Sequence, residues 1–179
     1  LPVDLPLVPP HFQVPPLMST SSSSFDLLVR AGRVVCPRTG RDAPGSIGIS
    51  NGLISAVDPP RESTAEQTLD FPDAVLLPGL VDLHAHPACS GSKYGVDPDR
   101  EFLPRGVTTV LSQGDAGADN WANYRAETIE GSRTRVRLAI SISRHGESTD
   151  RPCLDDLAWL DVDACVEAIA DGDELIWGI

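Results

Sequence analysis

Hydrophobic and polar positions fall into two regimes along the chain. From Phe25 to about residue 76 they form short runs broken by turn residues: "FDLLVRAGRVV", "GSIGISNGLISAV" and "QTLDFPDAVLLPG". Runs of this length bounded by Gly, Pro, Asn and Asp read as strands. Asn51-Gly52 stands between Ile49 and Leu53, where both positions of a two-residue turn favour positive φ, so a β-hairpin is predicted there. The expectation for residues 25–76 is a small antiparallel β unit.

After Pro78 the grammar alternates. "LVDLHAH", "VTTVLSQ", "RVRLAISIS" and "ELIWGI" read as strands, separated by helix-like "DPDREFLPRG", "NWANYRAETIEGS" and "DVDACVEAIADG". In the third helix Val162, Cys165, Val166 and Ile169 recur at i, i+3, i+4 and i+7, which predicts one apolar stripe laid on a sheet. Strand, helix, strand, repeated, predicts parallel strands joined by right-handed crossovers. Four strands cannot close an eight-stranded barrel, and the last run is apolar to Ile179, so the chain reads as the first part of a longer protein.

The segment before Phe25 is different. Its prolines and the "STSSSS" run leave too little apolar area to offset the entropy of ordering, so residues 1–24 are expected to be an unstructured tail. Met18 is the only methionine and a candidate natural start.

Charge and cysteine content exclude several function classes. A formal charge of −12 disfavours an electrostatic grip on nucleic acid or an anionic membrane. No window is apolar enough for a bilayer-spanning helix, and the first residues lack the basic segment of a secretory signal, so a cytoplasmic setting is expected. Cys36, Cys89, Cys153 and Cys165 are scattered without a CxxC pair and read as reduced structural thiols. The Gly-containing turns lack nucleotide-loop spacing, so no dinucleotide cofactor is expected.

Two of the four histidines, His84 and His86, end the most strand-like run. Residues i and i+2 of a strand project to one side, so the two imidazoles can share a divalent ion, zinc first among the candidates. A chance HxH at a surface strand end is the bland alternative. Two ligands are too few for a complete site. Asp82 joins the same side if the strand is regular, with either a supporting role or a bond to neighbouring backbone. His145 and Asp115 stand on strand-end loops and could line a pocket, although a solvated histidine and an ordinary Gly-Asp-Ala-Gly turn are the simpler readings. Cys89, three residues past His86, reads as a small loop residue, and the acidic pairs Asp155-Asp156 and Asp171/Asp173 as solvating the third helix.

"LLPGLVDLHAHP" resembles the first barrel strand of the amidohydrolase superfamily, in which "PGxxDxHxH" supplies two metal ligands. "DLLVRAGRVV" and "GSIGISNGLISAV" resemble the sandwich strands preceding the barrel in dihydroorotase-like and deacetylase-like members, and "RGVTTVLSQGDAGADNWANYRAETIEGSRTRVRLAISIS" resembles the second and third barrel strands of the bacterial amidohydrolase/deacetylase subgroup. The likeness covers about residues 25–179. It implies an α/β fold: a β-sandwich segment (25–76), then the first four or so strands of a TIM-like (β/α)8 barrel (77–179). It also implies metal-assisted hydrolysis of a C–N amide bond in a small molecule, such as N-acyl deacetylation, with one or two zinc-type ions. A dihydroorotase-like cyclic amidohydrolase, an N-acyl-amino-acid deacylase and a non-catalytic scaffold relative are the alternatives. The ligands that the resemblance places on later strands have no counterpart here: Lys93 lies in a Gly/Ser loop and His145 just past the third strand. No catalytic base is assigned, the fragment itself is expected to be inactive, and self-association is left open.

Overall fold

The computed structural model describes residues 24–179, so the expectations for the Pro/Ser-rich segment and for Met18 lie outside the described residues. The chain divides into two compact units, with the boundary between Pro78 and Gly79.

The first unit is a four-stranded sheet of β1 (Ser24–Cys36), β2 (Arg41–Ser50), β3 (Leu53–Val57) and β4 (Thr64–Leu76), in the order β3-β2-β1-β4. The hairpin forms as its turn residues require, with φ of 53° at Asn51 and 73° at Gly52. β1 pairs antiparallel with β2, pinned at one end by the Arg33–Asp42 ion pair. The unit is not wholly antiparallel, however, because β4 lies parallel to β1 on the opposite flank from β3. A fourth strand running on from the β3 edge would have been antiparallel. Residues 58–63 instead carry the chain across to the far edge, where it enters in the direction of β1. The buried apolar side chains of this unit are Phe25, Leu28, Val29, Ala31 and Val34, all from β1.

The second unit is the parallel sheet that the alternating pattern predicts: β5 (Leu80–Ala85), β6 (Val107–Gln113), β7 (Arg135–Ala139) and β8 (Ile176–Gly178), in chain order. The connections are shorter and tighter than expected. α1 (Pro98–Glu101) passes into a 3-10 turn over Leu103–Arg105, and α2 (Trp121–Tyr124) into a π-helical turn over Arg125–Ile129. Side chains alternate on β7 as the strand period demands. Val136, Leu138 and the following Ile140 are buried against Trp121, Tyr124, Ile129, Cys165, Ala168 and Ile176, which form the core.

α3 (Val162–Gly172) corrects one expectation. Its buried residues are Cys165, Ala168 and Gly172, with Ile169 packed beside them, whereas Val162 and Val166 are 60% and 57% exposed. The buried stripe is thus i, i+3, i+4, i+7 counted from Cys165. Small side chains win that face because the helix lies close to its neighbours: a Cβ on Gly172 would strike the Ile176 side chain and press on Trp121. Asp171 does more than solvate the helix, since it accepts the Trp121 indole N–H at 2.8 Å. Among the described residues no helix is long and apolar enough to cross a membrane.

Two carboxylates tie connections to the sheet. Asp99 in α1 accepts from the backbone N–H groups of Arg133 and Thr134 and from the Thr134 hydroxyl, at 2.7–2.9 Å, just ahead of β7. Asp161 caps α3 through the Ala164 N–H and pairs with Arg144. Burial works against the charged form of Asp99, but its donors outweigh it and hold the carboxyl below the ordinary range; donors likewise lower Asp161. Both groups therefore release protons more readily folded than unfolded. Their stabilisation is complete above the unfolded carboxylate value of about 4 and is lost as pH falls through the folded values. Denaturant unfolding between pH 6 and 2.5 should show this acid limb, and Asp99→Asn should flatten it. An unchanged slope in the variant would refute the assignment.

Candidate metal centre

The approach to the histidines is shaped by Gly79, where any Cβ would collide with the Thr108 side chain, so β5 can lie close beside β6 only with glycine at its entry. Along this pair the register slips: Asp82 is opposite Val110 and Ala85 opposite Ser112, three steps on β5 against two on β6. Such a bulge frees a backbone N–H from the ladder. Asp82 satisfies it, its carboxylate accepting from the His84 N–H at 3.0 Å. Of the roles considered for Asp82, the bond to neighbouring backbone is the one formed.

The rings of His84 and His86 lie edge to face with centroids 6.3 Å apart. Their surroundings differ. His84 is exposed, and its ring makes no hydrogen bond among the described residues. His86 is half-buried, its Nδ1 lies 3.0 Å from Asp115 Oδ1, and its ring centroid lies 5.3 Å from that of Tyr94, the two rings tilted by 51°.

Asp115 is 1% exposed. It sits on the loop that follows β6, where Gly114 turns at φ 77°, and it also accepts the Ser112 hydroxyl on Oδ2 and the Ser92 hydroxyl on Oδ1, each at 2.6 Å. Burial pushes its carboxyl up from the ordinary value against the pull of these serines and of His86. Beneath it the Tyr124 phenol, also pushed up by burial, donates to the Pro87 carbonyl.

A second group braces the loops around the pair. Lys93 Nζ lies 2.9 Å from Glu147, donates to the Arg151 carbonyl at 3.3 Å and sits 4.8 Å from the Tyr94 ring centroid. Burial opposes the charge on Glu147, yet Lys93 and Cys153 hold its carboxyl below the usual range. Backbone bonds from Lys93 N to Glu147 O and from Glu147 N to Gly114 O link the loops after β5, β6 and β7.

The remaining candidates are engaged elsewhere. His145 pairs with Asp119 at 3.4 Å and stacks edge-on against Trp159. Cys89 donates its backbone N–H to the Thr128 hydroxyl oxygen at 3.2 Å and places its thiol 4.0 Å from the Ser132 hydroxyl. Among the described residues no three His, Cys, Asp or Glu side chains converge on one point. What is present fits half of a metal site: two imidazoles on successive same-side positions, one backed by a buried carboxylate as metal-bound histidines usually are. Rings at this separation need to turn toward each other to place a nitrogen apiece about 2.0–2.1 Å from one ion.

Asp115, Ser92, Tyr94 and Glu147 carry more of this arrangement than the sequence reading gave them. One signal was available for Asp115: it follows the strand paired with β5, and adjacent parallel strands deliver their C-terminal loops side by side. Nothing in the spacing of Ser92, Tyr94 or Glu147 marks them.

No family model matches the chain. A deacetylase of Agrobacterium fabrum is 33% identical over 132 residues, covering 72% of this chain and 32% of the relative. A solved dihydroorotase superposes with a TM-score of 0.73 at 28% identity, covering 85% of this chain and 41% of that one. A solved adenine deaminase does so with a TM-score of 0.71 at 26% identity, covering 87% and 40%. The chain spans about a third of the length of the curated deacetylase. Taken with the strand-end histidine pair and the sheet that carries it, these likenesses show that the chain belongs to the amidohydrolase superfamily.

Proposed function

We propose that this chain supplies the opening strands and two metal ligands, His84 and His86, of a hydrolase that cleaves a C–N amide bond in a small molecule. On this reading β5–β8 are the first four staves of a (β/α)8 barrel, whose active sites gather at the C-terminal strand ends, and β1–β4 belong to an accompanying β-sandwich. The observation that carries the proposal is the asymmetric pair at the end of β5, where His86 turns one ring nitrogen to buried Asp115 and keeps the other for a ligand.

The chain's own contribution is positional. β5 presents His84 and the residue just past its end presents His86, the bulge bonded by Asp82 sets the orientation of His84, and the Lys93–Glu147 brace fixes the surrounding loops. A divalent ion held by His84, His86 and ligands from later strands, zinc by preference for imidazole, supplies Lewis acidity that makes water nucleophilic near neutral pH and polarises the scissile carbonyl. No residue of this chain is assigned as catalytic base.

An N-acyl substrate is favoured by the likeness to a protein named deacetylase, and a cyclic amide is the second reading, favoured by the superposition on a dihydroorotase. Four free thiols and the absence of a basic surface excess fit a cytoplasmic enzyme with a small-molecule partner. The test is turnover of N-acyl amino acids and of cyclic amides by the zinc-loaded protein with the later barrel strands and their ligands in place, before and after chelation. Metal-dependent release of amine from the N-acyl set is expected. Turnover of the cyclic set alone would favour the second reading, and absence of both bound metal and turnover would favour a scaffold role.

A further inference from the structure

We propose that Asp115 is the positioning residue for His86: it locks the ring as the Nδ1–H tautomer and so reserves Nε2 for the metal. This rests on the metal-ligand reading above and adds a residue to it from a different strand.

An ionised carboxylate only accepts. Asp115 takes both serine hydroxyls, Ser112 on Oδ2 and Ser92 on Oδ1, so the ring atom facing Oδ1 at 3.0 Å must carry the hydrogen. In water a neutral imidazole exchanges its proton between the two nitrogens; here one arrangement is selected, because the other would set two lone pairs against each other in a buried place. The carboxylate cannot turn away, since its second oxygen is fixed by Ser112, itself fully buried on β6. His84 has no such partner among the described residues and serves as the internal control.

The network also spans elements. Ser92 comes from the loop after β5, Ser112 from β6 and Asp115 from the loop after β6, so the orientation of a β5 side chain is read from three separate stretches of chain. Ser92 additionally accepts the Tyr94 N–H at 3.4 Å, and the Tyr94 ring stands tilted beside that of His86 with centroids 5.3 Å apart.

The experiment pairs long-range 1H–15N NMR of 15N-histidine-labelled protein, at fixed neutral pH, with zinc affinity measured by chelator competition. In the native protein His86 should show a protonated Nδ1 and an unprotonated Nε2, while His84 shows an averaged pair. Asp115→Asn keeps the shape of the side chain but can present an amide N–H to the ring. It should shift His86 toward the other tautomer, leave His84 unchanged and weaken zinc binding about 10- to 100-fold. S92A, which removes one donor at a distance from the ring, should give a smaller shift in the same direction with the fold intact. Native tautomers in both variants, or native zinc affinity despite an altered tautomer, would overturn the proposal. Should the native protein hold no zinc while His86 still depends on Asp115, the metal reading would fail and the positioning would stand.

Discussion

Zinc affinity is expected to fall by about a thousandfold or more when His86 is replaced by alanine, equivalent to about 4 kcal/mol of binding free energy. The loss should be larger than for His84→Ala, although each variant deletes one imidazole. The difference lies behind the ring. His84 leaves no unsatisfied partner among the described residues, because its ring makes no hydrogen bond to them. His86 takes with it the only ring donor on Asp115, whose carboxylate is 1% exposed and would keep two serine donors in place of three groups. An underbonded buried acceptor costs about 1–3 kcal/mol. His86→Ala should therefore lower thermal stability as well as metal affinity, whereas His84→Ala should lower affinity alone. Chelator competition and thermal unfolding of the two variants check this. Equal unfolding temperatures, or zinc retained at native stoichiometry in the double variant, would contradict it.

Much of the second unit is legible in the sequence because its information is local. A period of two in "RVRLAISIS" and a crossover between each pair of apolar runs dictate parallel strands, and the HxH tripeptide by itself singles out two imidazoles at the end of β5. The features that escape are those set by what an element meets. α3 has two plausible apolar stripes three positions apart that share Cys165 and Ile169, and the choice of Ala168 and Gly172 over Val162 and Val166 depends on how near Trp121 and Ile176 stand. The parallel entry of β4 depends on which edge the 58–63 connection reaches, which the composition of β4 does not encode. The same holds at the site. His84 and His86 can be read from a tripeptide, but the Lys93–Glu147 brace and the Ser92–Asp115 bond join loops that only the finished sheet brings together. Asp115 is the instructive case, since Gly-Asp-Ala-Gly is ordinary turn chemistry until burial reveals that the aspartate points inward.

Gly117→Ala should damage the site without touching any residue that bonds in it. Gly117 is buried two positions after Asp115, and a Cβ there would overlap the Ser143 carbonyl oxygen and lie 2.7 Å from that of Arg144. Both obstacles are backbone, on the segment that follows β7, and cannot rotate aside as a long side chain would. The segment is held in place: Ser141 N–H bonds to the Ala116 carbonyl, Asp119 N–H to the Arg144 carbonyl, and Gly117 N–H to the Asn120 side chain. An added methyl must push the loops after β6 and β7 apart, and Asp115 moves with the first of them. Overpacking of this kind costs about 1–3 kcal/mol and occasionally more, and the rigid backbone on the far side places this substitution at the upper end. The urea midpoint should drop accordingly and zinc affinity should fall with it, although His84 and His86 are intact. Gly91→Ala is the matched comparison. Its Cβ meets nothing within 4 Å, so only its φ of 74° resists the change, at about 1–2 kcal/mol. A Gly117 variant no less stable than the Gly91 variant, or one with native zinc affinity, would show that the two loops are not coupled through this contact.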